Sequence, residues 1–171
     1  NAIALVGDAR SVLEDLEQRI AGYRVSDTYA RTLGEHKSEW ERESDRLFAG
    51  TGAAVLSQAE VIGAVNAVLG PRDVIVCAAG SLPGDLHKLW RARDPKGYHV
   101  EYGYSCMGYE VAGGLGIKLA APDREVTVMV GDASYLMMAQ EIVTAIQERV
   151  KLTVVVIDNH NAGIKAMVGG P

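Results

Sequence analysis

The sequence predicts an α/β fold in which a parallel β-sheet carries helices on both faces. Three observations support this. The run Asp73-Val-Ile-Val-Cys-Ala-Ala79 is apolar almost throughout, as expected of a strand covered on both sides. Such runs alternate with segments of helical period. They also stop on glycine and polar residues, at the strand ends where sheets of this kind bind ligands. With 171 residues, 48% of them apolar, and 19 glycines, the chain has the makings of one globular domain plus an additional piece.

The elements follow in order. Ala2 to Val6 reads as a strand, Gly7-Asp8 as a turn, and Ser11 to Ala21 as a helix with Val12, Leu13, Leu16 and Ile20 at helical spacing. This β-α unit, residues 1–25, is too small to fold alone. Residues 26–50 are strongly charged, with Trp40, Leu47 and Phe48 as their few large apolar side chains, and read as a solvated helical linker. Residues 51–171 form the main domain. A helix is predicted from Ser57 to Leu69, stopped by Gly70-Pro71, followed by the strand at 73–79 and a loop containing Gly80, Pro83 and Gly84. A helix of small residues from Gly108 to Ala120, a strand from Val126 to Val130, a helix from Ser134 to Arg149 and a strand from Leu152 to Asp158 complete the alternation. The opening Asn1 and the closing Gly169-Gly-Pro171 read as cuts that truncate this domain.

Composition narrows the function classes. The formal net charge is -5 and no basic run with interleaved aromatics occurs, which argues against nucleic acid as a partner. No apolar stretch approaches the roughly 18–20 residues of a membrane span, and the N-terminus lacks the pattern of a signal peptide, so a cytoplasmic setting is expected. Cys77 and Cys106 stand alone, without the pairing of a zinc site or disulfide framework, and are expected to be reduced thiols.

Two predicted strands end on groups suited to a hard cation: Val130-Gly131-Asp132-Ala133-Ser134 and Ile157-Asp158-Asn159-His160-Asn161. Magnesium takes oxygen ligands and commonly shares them with phosphates. Asp132, the Asn159 amide and a nearby carbonyl would supply three. The helix beginning near Ser134 would add free N–H groups and its positive dipole end. The alternative is that Asp132 and Ser134 merely cap that helix.

Gly131-Asp132 followed by Asp158-Asn159 resembles the signature of the thiamine-diphosphate enzyme superfamily, a Gly-Asp-Gly and, one strand later, an Asn-Asn or close variant. Gly80 to Trp90, Glu101 to Glu110 and Ser134 to Met138 are similar to one subfamily, the trihydroxycyclohexane-dione hydrolases of inositol catabolism. The opening β-α unit and the charged linker resemble the end of that subfamily's central domain and its interdomain helix. The likeness covers nearly the whole chain. It implies the thiamine-diphosphate-binding fold, with thiamine diphosphate and Mg2+ as cofactors. It makes Asp132, Asn159 and the Asn161 carbonyl the metal ligands. Gly80, Ser81, Ala133 and Ser134 would donate hydrogen bonds to the diphosphate, with Leu82 and Gly131 beside them, although Ser81 is equally explained by turn chemistry. Ser105 would offer its carbonyl and Met107 its backbone N–H to the pyrimidine, with the Met107 side chain beneath the cofactor. His87, His99 and His160 lie near these motifs as candidate substrate contacts.

The resemblance further implies an enzyme that hydrolyses a carbon–carbon bond of a cyclic polyol dione to an open-chain 5-deoxy-glucuronate, working as a homodimer or tetramer. Its activating glutamate belongs to an N-terminal domain that these residues lack, so no catalytic residue is assigned within the chain, and the fragment alone is expected to be inactive. An acetolactate-synthase-like carboligase or 2-oxo acid decarboxylase would share the metal residues, and a non-catalytic phosphate-binding α/β module would need only Gly131-Asp132. Two residues depart from the superfamily pattern: Ala133 stands where glycine is usual, and Asn161-Ala162 where glycine and an aromatic are usual.

Overall fold

The computed structural model describes residues 2–159. The chain divides into two compact units, Asn1–Glu43 and Ser44–Pro171. In the first, helix α1 (Ala9–Arg19) is capped by Asp8, whose carboxylate accepts the Ser11 N–H at 3.0 Å. Arg10–Glu14 and Arg19–Asp15 pairs reinforce it at i,i+4 spacing. None of its residues is buried. The strand expected at Ala2 to Val6 does not form: these residues pair with nothing in the sheet, and Ile3 and Val6 are almost fully exposed. An apolar run becomes a strand only where a neighbouring strand accepts its backbone hydrogen bonds. The charged stretch is helical as expected, forming α2 (Asp27–Ala49).

The second unit is built on four parallel strands, β1 (Val74–Cys77), β2 (Tyr98–Val100), β3 (Val126–Gly131) and β4 (Thr153–Ile157), in the order β2-β1-β3-β4. Both faces are covered. Ile75 and Cys77 of β1 and Met129 of β3 pack with Ile62 of α3 (Gln58–Val68) and with Leu82, Leu86 and Leu89 of α4 (Ser81–Leu89). The alternate residues Val74, Val76, Val126, Val128 and Val130 pack with Val111 of α5 (Tyr109–Ala120). Tyr135 of α6 (Asp132–Met138) and Ile142 of α7 (Glu141–Gln147) flank that second layer. Helix α3 opens with a full capping box, Ser57 and Glu60 each accepting the other's backbone N–H. Among the described residues no helix is long and apolar enough to cross a membrane. Burial pushes the Cys77 thiol up to about 11, which keeps it protonated.

Two local expectations are corrected here, and one strand was not foreseen. The segment after β1 is not a loop but helix α4, because Pro83 falls in its first turn, where a missing N–H costs nothing. The helix expected from Ser134 to Arg149 is two, α6 and α7, joined at Ala139-Gln140. There Ile142 and Val143 donate to the carbonyls three residues back, tightening the chain into a single 3-10-type turn. Strand β2, three residues at the sheet edge, gave no sequence signal of its own.

Candidate functional site

The strand order reverses direction between β1 and β3, since the chain leaves β1 toward β2 on one side and returns to place β3 on the other. A crevice at the carboxyl ends is the expected ligand position in such sheets. There the structure has a cleft of about 380 Å3, part of it open to solvent. It is lined by Gly80, Ser81 and Leu82 after β1, by Gly131, Asp132, Ala133 and Ser134 after β3, by Ile157 and Asn159 at the end of β4, and by Met107. Gly131 is registered against Ile157, so Asp132 and Asn159 follow adjacent strand ends. Of the sequence-predicted site residues, Ser105 lies outside the lining and is exposed, and Asn161 lies outside the described residues, as does His160.

Two helices that border the cleft begin on glycine. Helices α1 and α3 are closed by side chains, whereas α4 starts on Gly80 and α6 on Gly131 with no side-chain cap. Their first-turn N–H groups are therefore left for other acceptors. A Cβ built on Gly80 or Gly131 would meet nothing within 4 Å, so there is open space over both. Among the described residues no group of three His, Cys, Asp or Glu side chains is placed to hold a metal. Asp132 and Asn159 are the side chains that bring a carboxylate and an amide oxygen to the cleft lining from adjacent strand ends.

The Ser134 hydroxyl is already engaged. It donates to Glu110 Oε2 at 2.7 Å and accepts the Gly108 N–H at 2.7 Å, so its one hydroxyl proton is already committed within the protein. Neither of the two candidate histidines in the described part lines the cleft: His99 bonds and stacks on Tyr109, and His87 packs against Tyr98 and Tyr102. Ser105 is held in the left-handed region at φ 53° by Glu101, whose carboxylate accepts the N–H groups of Cys106 at 2.7 Å and Tyr104 at 3.1 Å. These bonds keep the Glu101 carboxyl below its ordinary range. A depressed folded value means that the clamp is fully present above the ordinary carboxylate pKa and is lost as pH falls through the folded one. Acid titration followed by NMR should therefore shift the Tyr104 and Cys106 amides together, and Glu101→Gln should erase that titration.

Sequence reasoning missed Gln58, Ala79 and Ile157 in the lining and, outside the lining but bonded to Ala79 and Ser134 of it, Glu110. The one carboxylate in a helix whose other residues, apart from Tyr109 and Lys118, are small or apolar was the available signal.

Comparison with known proteins agrees with this geometry. The family model described as thiamine pyrophosphate enzyme, C-terminal TPP binding domain, matches residues 78–168. The chain is 40% identical to a 3D-(3,5/4)-trihydroxycyclohexane-1,2-dione hydrolase of Halalkalibacterium halodurans and 42% identical to one of Bacillus thuringiensis. A protein of the same name from Geobacillus thermodenitrificans is 40% identical. Each alignment covers 95% of this chain and 29% of the relative, so the chain spans less than a third of the length of these proteins.

Proposed function

Since the chain belongs to the thiamine pyrophosphate enzymes through their C-terminal TPP binding domain, we propose that its cleft holds the diphosphate of thiamine diphosphate through Mg2+. The observation that carries this reading is the meeting of Asp132 and Asn159, on adjacent strand ends, with the glycine-started helices α4 and α6 in one cleft. Asp132 and Asn159 would supply oxygen ligands to the metal, with Asn161 as a third from outside the described residues. The amides of Ser81, Ala133 and Ser134 would meet the phosphate oxygens. Met107 would bound the cleft beside the ring, and Ser105, on the loop that Glu101 clamps, would offer its carbonyl there. When bound, the cofactor supplies the carbanion stabilisation that carbon–carbon cleavage requires. Asp132 is the one carboxylate in the cleft lining among the described residues, so an activating glutamate is expected from outside them.

By likeness to relatives named as hydrolases of trihydroxycyclohexane-1,2-dione, we propose hydrolytic carbon–carbon cleavage of that dione for the whole protein, in the cytoplasm and as a homo-oligomer. Calorimetric titration of the metal-free full-length protein with thiamine diphosphate tests the site. Binding is expected only after Mg2+ is added, and equal binding without metal would leave a plain phosphate-binding module. Turnover of the dione, rather than of a 2-oxo acid, tests the reaction.

Ala133, second in α6, carries a methyl where close approach to phosphate favours glycine. Ala133→Gly is expected to tighten thiamine-diphosphate binding severalfold. Melting should change little, because a first-turn glycine costs at most about 1 kcal/mol. Weaker binding would show a cleft already fitted to alanine.

A further inference from the structure

Among the described residues the buried side chains with polar or charged groups are Ser44, Asn66, Glu110, Thr127 and Ser134, and of these only Glu110 is a carboxylate. It is 1% exposed, second in α5, and neighboured in that helix by the buried Val111 and Leu115. A side chain that merely filled this layer would be apolar, because an unpaired buried carboxylate is costly. Glu110 is instead fully engaged. Its Oε1 accepts the Ala79 N–H at 3.3 Å, and its Oε2 accepts the Gly108 N–H at 3.1 Å and the Ser134 hydroxyl at 2.7 Å. Ala79 leads into Gly80, Gly108 follows Met107, and Ser134 stands two residues after Asp132. The three partners thus belong to the three segments that line the cleft from β1, from the start of α5 and from β3.

We propose that Glu110 is a positioning residue that fixes the spacing of these three segments, so that they bind one cofactor as a unit. The proposal rests on the thiamine-diphosphate reading above. Glu110→Gln keeps the shape but sets an amide N–H against at least one of the N–H groups now accepted, leaving a buried donor unmatched. In the full-length protein with saturating Mg2+, the thiamine-diphosphate Kd is expected to rise roughly 10–100-fold, the range typical of residues that orient ligating groups. In the cofactor-free protein the Ala79 and Gly108 amides should exchange with deuterium faster. Adding Ser134→Ala to Glu110→Gln should worsen the Kd little further, since both act through one network. Should Glu110→Gln fail to fold, Ser134→Ala alone carries the test, with a raised Kd and faster Gly108 exchange expected and no change in either overturning the proposal. A lowered melting temperature with unchanged Kd would mean a structural role only and would also overturn it. Asp132→Ala is the reference: if it abolishes binding while Glu110→Gln does not, the positioning role falls and the site stands, whereas if it too binds normally, both fall.

Discussion

Asp132→Ala is expected to abolish magnesium-dependent thiamine-diphosphate binding by calorimetry while leaving the melting temperature close to that of the parent. Residues that only orient metal ligands cost roughly 10–100-fold in affinity when removed, and loss of a ligand should exceed that. Stability should respond far less. The N-cap of α6 is Gly131, which has no side chain to offer, and the Ser134 hydroxyl serves Glu110 rather than the helix's own amides. What Asp132 adds to the helix as its first residue is favourable placement of a negative charge near the N-terminus, about 0.3–1 kcal/mol. A mutant that bound the cofactor as tightly as the parent would remove Asp132 from the metal site. One that merely melted early would return it to a capping role.

Gly108→Ala is expected to damage both fold and site. Gly108 has φ 93° and ψ -10°, a left-handed conformation that costs other L-residues roughly 1–2 kcal/mol. A Cβ there would lie 2.7 Å from Met138 Cγ and 3.2 Å from Met137 Cβ, an overpacking of about 1–3 kcal/mol more. Together these amount to a fall in Tm of roughly 10 °C for a domain of this size. The shift would also move Met107 on one side and the Glu110 network on the other. Thermal unfolding followed by circular dichroism gives the measurement, and an unchanged Tm would mean that this backbone is not held as described.

Much of the sheet was legible because the strands of a parallel sheet carry nearly continuous apolar runs: β1 and β3 are buried along almost their whole length, and β4, although exposed at Thr153 and Val156, keeps the same run. Strand β2 was not, because its three residues take their conformation from pairing with β1. Helix α4 was hidden by Pro83 and Gly84, whose punctuating effect depends on where in a helix they fall. The apolar run at 2–6 shows the reverse failure, a strand pattern without a partner. In the site, Asp132 and Asn159 could be found because strand ends are local features. The role of Glu110 could not, since its donors are 31, 2 and 24 residues away and meet only in the folded chain. Likewise, that the Ser134 hydroxyl faces Glu110 is a product of packing.

The strand order carries a consequence for how the protein comes into being. Val74 of β1 pairs with Val126 of β3, and all of α4, β2 and α5 lies between them in the chain. Pairings so distant in sequence must meet the loop-closure entropy before contacts reward it, which makes such sheets slow to form. During synthesis, β1 leaves the ribosome well before its central partner exists, and Asn159 emerges last of the described cleft residues. The cleft is therefore among the final parts of the described chain to take shape.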